Sequence, residues 1–425
     1  MADWIETDED LVRQVRAAVD AAPVTDMHTH LYAAPFGDLL LRGIDELLAY
    51  HYLVAEVMRI SPLTYEAFWS LDKQGRANHI WALLFRSRSP LSEAARGILT
   101  ALGGLGLDPN AGLNKTRQFF SSLSAAEAVR IVFQASGVQE VVMTNDPLDD
   151  AERAVWLSDR AKDIHADRRF RAALRIDPLL LDWAGASVKL RRIGYAVPER
   201  MVRGDETGLA EVRRFLREWV ERMRAVYMAV SLPPDFDYPG EEAQTTLLED
   251  GVLPVCRELG ISFAVMVGVR RQVNPALQLA GDGSGTANLE WLGRLCAGHP
   301  HNRFFATVLA RENQHELVVL GRKFRNLMVF GCWWFMNNPS LVLETTRMRL
   351  EMLGTSFIAQ HSDARILEQL VYKWRHARRV VTTALIEQYR GVMATGWRLT
   401  GEEIENDVKR LFQENFRDFI GSESR

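Results

Sequence analysis

Two histidines, two residues apart, open the chemistry of this chain in Val24-Thr25-Asp26-Met27-His28-Thr29-His30. In an extended strand such residues face one side, so His28 and His30 would offer two imidazoles to one divalent cation. The plain alternative is a pair of loop histidines, since His-x-His is a short signal. Far along the chain, His361-Ser362-Asp363-Ala364-Arg365 supplies a carboxylate. Asp363 would complete a His2Asp set with positions left open for water or substrate, as catalytic metals need. Its alternative is a helix N-cap. Arg365 either holds substrate oxygens or pairs with Asp363.

Segments this distant meet only if the fold brings strand ends together. Eight short apolar runs read as strands: Val24–Leu31, Glu140–Thr144, Arg171–Ile176, Val226–Leu232, Ser262–Val269, Arg303–Leu309, Leu327–Trp333 and Thr355–Gln360. Near-continuous apolar character marks strands buried on both faces. Helical periodicity lies between them, as in Glu211–Arg224, where Val212, Phe215, Leu216 and Val220 share a stripe. Eightfold alternation is the pattern of a (β/α)8 TIM-type barrel, so residues 1–425 are expected to form a single domain. Active sites lie at the C-terminal ends of such strands, and strands 1 and 8 are neighbours, which sets Asp363 across the mouth from His28 and His30. Residues 33–135 read as a helical insertion after strand 1 that caps the site, with Leu39–Arg59 and Ala125–Gln134 the clearest pieces. A helical C-terminal tail follows strand 8: Ile366, Leu367, Leu370, Val371, Trp374, Val381 and Leu385 recur at helical spacing, and Gly401–Ile420 gives a last helix.

Composition narrows the partners. Lys+Arg 51 against Asp+Glu 55 leaves a formal charge of −4, without the basic excess of a phosphate-neutralising nucleic-acid binder. Hydrophobic residues at 47% and charged residues at 25% are those of an ordinary globular protein. Cys256, Cys296 and Cys332 are too scattered for a disulfide framework and suit a reducing compartment. The start, Met1 to Ile5 followed by Glu6 and Asp8, has no basic or apolar targeting pattern, and no uncharged run approaches a membrane span. A cytoplasmic protein is expected, with no nucleic acid or membrane partner; a homo-oligomer is left open.

His-x-His after strand 1 with Asp after strand 8 resembles the amidohydrolase superfamily, and further motifs resemble the uronate isomerase (glucuronate isomerase) family within it. Ala49-Tyr50-His51-Tyr52, with Arg59 downstream, is similar to its His-Tyr motif, and Leu174-Arg175-Ile176-Asp177 to its Arg-Pro-Asp turn. Leu309–Asn313 resembles its Arg-Asp-Asn segment, Phe330-Gly331-Cys332-Trp333-Trp334-Phe335 its Gly-x-Trp-Trp-Phe motif, and Ser362–Arg365 its Asp-Ser-Arg turn. The resemblance runs from about Pro23 to Phe419, in order.

It implies an aldose–ketose isomerase acting on a hexuronate, D-glucuronate to D-fructuronate and D-galacturonate to D-tagaturonate, by proton transfer through a cis-enediol. It implies one divalent metal on His28, His30 and Asp363 that binds the substrate carboxylate and C5 hydroxyl, with Asp363 starting proton removal. Tyr52 and Arg365 would stand near the C1 and C2 oxygens. His51 would position substrate, unless it is a satisfied polar residue in a helical cap. Arg175 would recognise the substrate, unless it is a structural salt bridge. Trp333 and Trp334 alternate in direction, so one of them would wall the sugar and the other pack in the core. The binuclear hydrolases of the superfamily use a strand-4 Lys or Glu and histidines from strands 5 and 6; Val226–Leu232, Phe263–Gly268 and Phe304–Leu309 contain none, which favours one metal. Zinc suits His2Asp, and manganese, iron or cobalt can substitute. Two other classes share the barrel: a mononuclear metal-dependent hydrolase, and a catalytically dead binding module. His315 is expected to start a helix rather than to ligate.

Overall fold

In the computed structural model, which describes residues 4–421, seven parallel strands follow one another around a curled sheet in chain order. They are β1 (Val24–Thr29), β2 (Val138–Asn145), β3 (Phe170–Arg175), β4 (Ala225–Leu232), β5 (Ser262–Val267), β6 (Phe304–Val308) and β7 (Leu327–Val329). Met1, at the start of the segment read for a targeting pattern, lies outside the described residues. Helices cover the outer face. In Glu206–Met223, Val212, Phe215, Leu216 and Val220 are buried as the stripe requires, and Asp205 caps the start by accepting from the Gly208 N–H at 2.9 Å. The lumen is filled by a separate apolar cluster, with Met27, Ala173, Tyr227, Met266, Phe305 and Phe330 among its members. The barrel is therefore a packed core rather than a pore.

The eighth run departs from its expectation. Thr355–Gln360 forms no ladder strand; it contributes one parallel bridge, Phe330 to Ile358, with Gly331 N–H donating to Ile358 O at 2.9 Å and Ile358 N–H to Val329 O at 3.0 Å. The chain then meets β1: His30 N–H donates to Ala364 O at 2.7 Å and Asp363 N–H to His28 O at 3.3 Å. Side chains replace the missing ladder bonds. Asp26 accepts from Ser362 N–H at 3.0 Å, and Gln360 accepts from Cys332 N–H at 2.5 Å. The ring closes through an irregular stave, and the irregularity lies where Asp363 is presented.

Between Ala34 and Ser136 the chain is helical, with an apolar cluster of its own built on Leu47, Leu53, Phe68, Ile98 and Phe120. Leu39–Arg59 is two helices, Ile44–Leu48 and His51–Met58, rather than one continuous piece. Gly43, at φ 96, turns the chain into the first, and extended Tyr50 (ψ 149) separates the two. A hairpin of Val269–Arg270 and Gly283–Ser284 after β5 reaches back to this region, where Trp69 Nε1–H donates to Ala276 O at 2.9 Å. The tail supplies Gln369–Ala394 and the segments Gly401–Lys409 to Asn415–Ile420, whose Phe416 and Ile420 join the lumen cluster. No helix among the described residues is long and apolar enough to cross a membrane.

Candidate active site

β1 carries the site. Its pairing with β2 slips between Asp26 and Thr29, so consecutive residues Met27 and His28 both turn inward, Met27 into the lumen cluster and His28 against Tyr227 of β4. His28 and His30 stand edge to face, ring centroids 5.3 Å apart. Asp363 Oδ1 lies 3.9 Å from His28 Nε2 and 3.4 Å from His30 Nε2. One ligand atom from each of the three residues falls within 4.8 Å of the others. His28 Nε2 and Asp363 Oδ1 are buried without any hydrogen-bond partner, a costly state for polar atoms. Two neutral nitrogens and a carboxylate with unused lone pairs facing one point are the donor set of a divalent cation, and the residues fit it.

Asp363 is no helix cap; it sits at φ 53, a left-handed conformation held from both sides. Asn337 Nδ2–H donates to Ser362 O at 3.2 Å and Ala364 N–H to Ser362 Oγ at 3.1 Å. Asp26, in the same strand as His28, carries no signal of its own in the sequence. Its carboxylate is fully buried, takes Ser362 N–H, and accepts from Trp374 Nε1–H of the tail helix at 2.8 Å. Burial raises Asp26 to about 6, against the lowering by its Ser362 and Trp374 donors. Burial likewise raises Asp363 to about 6, against the opposing pull of His28 and nearby cations. Both histidines are depressed to about 3, by burial first and then by His30 for His28 and by Arg175 for His30.

Above this cluster the insertion brings His51 and Tyr52. His51 is stacked between Tyr50 at 4.1 Å and Trp334 at 5.2 Å, and its Nε2 is buried without a partner, so it is not a satisfied cap residue. The Tyr52 phenol is pushed well above its ordinary pKa by burial and then by Tyr50 and Asp363. A cavity of about 250 Å³ opens beside them, walled by His51, Tyr52, Trp334, Glu93, Lys373 and Leu279 of the hairpin loop. Drug-sized ligands fill roughly 300–1,000 Å³, so this space suits a smaller molecule. Trp334 is the tryptophan in its wall, whereas Trp333 packs in the lumen cluster. Gly331, at φ 49, lets this loop pass: a Cβ there would lie 1.9 Å from His361 Nδ1.

Arg175 makes a two-point ion pair with Asp177, at 2.9 and 3.1 Å, and its charge still acts on His28, His30 and Asp363. Arg365 is exposed and makes no ion pair with Asp363 among the described residues. His315 lies in the first turn of Gln314–Lys323, away from the cluster, as expected. Lys373 was also missed: buried in the apolar stripe of the tail helix, its ammonium sits 3.5 Å from Glu93 and 5.2 Å from the Tyr52 ring centroid. The only signal for it was a lysine where the stripe calls for an apolar residue.

No family model and no curated protein matches the chain. Among solved structures, a uronate isomerase from Bacillus halodurans C-125 superposes with a TM-score of 0.94 at 51% identity, covering 98% of this chain and 97% of its own. A uronate isomerase from Thermotoga maritima (TM-score 0.78, 15% identity, 98% and 99% covered) and a glucuronate isomerase from Caulobacter crescentus (0.73, 15%, 98% and 95%) share the fold. With half of its residues identical to the first of these over nearly the whole of both chains, this chain belongs to the uronate isomerase family.

Proposed function

We propose that this protein interconverts aldo- and keto-hexuronates, D-glucuronate with D-fructuronate and D-galacturonate with D-tagaturonate, in the cytoplasm. The observation that carries the reading is the 51% identity to a uronate isomerase across 98% of the chain. His28, His30 and Asp363 would hold one divalent ion, zinc by donor type. When bound, that ion supplies a fixed positive charge for an anionic sugar.

The isomerisation removes the C2 proton and the O2 proton of the aldose and delivers protons to O1 and C1, by way of an enediol. The chain's own groups divide this work. Asp363 acts as the base: its carboxylate, which no side chain bonds at Oδ1, takes the C2 proton and returns that proton to C1. Tyr52 enters as an intact O–H, since burial disfavours its phenolate, and relays the hydroxyl proton, donating its own to O1 as it takes the one leaving O2. Arg365, charged and unpaired with Asp363, stabilises the enediolate oxygen. Arg175 and His51 orient the substrate, the first by charge and the second through its free Nε2. Trp334 closes the sugar's apolar edge.

The test is to incubate purified, metal-loaded protein with D-glucuronate and D-galacturonate and assay the ketoses. Formation of either is expected. Absence of both, with stoichiometric metal present, removes the reading; turnover of an ester or lactone in their place points to the hydrolase.

A further inference from the structure

Each candidate metal-binding histidine leans on a hydroxyl whose own proton is already committed. Tyr227 Oη–H donates to Met27 O at 2.6 Å, and the same oxygen lies 3.2 Å from His28 Nδ1. Thr144 Oγ1–H donates to Thr29 O at 2.9 Å and lies 2.9 Å from His30 Nδ1. A hydroxyl has one proton and two lone pairs. With the proton on the carbonyl, the oxygen can only accept from the ring, so Nδ1 must carry the hydrogen and Nε2 must be the bare lone pair. The two hydroxyls come from different strands, β4 and β2, yet both spend their proton on a β1 carbonyl one residue before the histidine they serve. Each stands where a carboxylate or carbonyl more commonly orients a ligating imidazole.

We infer that Tyr227 and Thr144 are positioning residues that lock His28 and His30 in the Nδ1–H tautomer, so that both Nε2 atoms face the cation before it arrives. This rests on the metal-dependent reading above. The lock removes the rotameric and tautomeric choice a free imidazole would have to give up on binding, and its loss shows as weaker metal capture.

Two readouts test it. In metal-free wild type labelled with ¹⁵N-histidine, NMR is expected to show Nδ1–H on His28 and His30, and Tyr227→Phe to move His28 alone toward Nε2–H. Competition with a chelator is expected to show zinc bound about 10–100-fold more weakly by Tyr227→Phe and by Thr144→Val, with Thr144→Ser restoring affinity. Wild type carrying Nε2–H on both rings overturns the lock, as does unchanged zinc affinity in both folded variants. If wild type binds no zinc at all, the functional reading falls, and the tautomers of the metal-free protein decide the lock by themselves.

Discussion

Asp363 holds a left-handed backbone at φ 53, a conformation costing an Asp of order 1–3 kcal/mol unless its neighbours impose it. Here they do, through Asp26, Asn337 and the β1 backbone, and what results is a carboxylate aimed at two imidazoles with an unbonded oxygen. Asn tolerates the same backbone, so Asp363→Asn should keep the fold while removing charge and basicity. The expected result is a Tm close to wild type, substoichiometric metal by elemental analysis, and kcat lower by about 10³-fold, within the range attributed to a general base. Normal metal content with normal kcat would remove Asp363 from both roles. Tyr52 makes the complementary case. Its ring contacts His51 at 4.5 Å and Tyr50 at 5.0 Å, and Phe would preserve these while deleting the proton donor. Tyr52→Phe should therefore lower kcat by about 10²-fold with KM little changed, in steady-state kinetics on the uronate. A change confined to KM would make Tyr52 a packing residue.

At the scale of elements, the join between the insertion and the tail helix has an energy that depends on pH. Glu368, fully buried at the start of Gln369–Ala394, accepts Gly43 N–H at 3.0 Å, while its other oxygen has no partner. Burial raises its carboxyl to about 7, against the lowering by the Gly43 bond. A raised folded-state pKa means the folded protein keeps a proton that the unfolded chain has released. The contribution is therefore whole below the ordinary Glu value near ~4.3 and is lost as pH climbs to about 7. Glu368→Gln keeps an acceptor for Gly43 and cannot ionise, so its Tm relative to wild type should rise between pH 5 and 8, by an amount corresponding to about 2–3 kcal/mol. A Tm difference that ignores pH would show that Glu368 does not titrate in this window. The elements differ in how legible they were. β2 to β6 could be read because burial on both faces leaves continuous apolar runs. The eighth stave could not, because Asp26 and Gln360 side chains do the work of ladder bonds there, and side-chain substitution has no period. His28, His30 and Asp363 announced themselves by type and spacing. Tyr227 and Thr144 did not, since they sit in ordinary strand positions and meet their histidines across 199 and 114 residues of chain.

The whole molecule gives an anionic sugar no long-range attraction, because a formal charge of −4 is mildly repulsive. The pull must come from the mouth itself, and the rest of the chain keeps that mouth rigid. The tail does so from beneath. Arg378, buried on the tail helix, donates to the carbonyls of Val19, Ala22 and Gly137, tying it to the segments that lead into β1 and β2. Phe416 then plugs the lumen, 1% exposed, with its ring 5.7 Å from Phe305 and 6.3 Å from the ring of Tyr227. Phe416→Ala would open a cavity under these rings, at a cost of about 3–5 kcal/mol. The Tyr227 hydroxyl would remain pinned to Met27 O, so His28, His30 and Asp363 above it should hold their geometry. A clear drop in Tm or in the urea midpoint is expected, with stoichiometric metal and kcat within about twofold of wild type at 25 °C. Loss of metal in step with stability would mean instead that the barrel floor and the site are one packed unit, and that the plug sets the position of His28 through the Tyr227 ring.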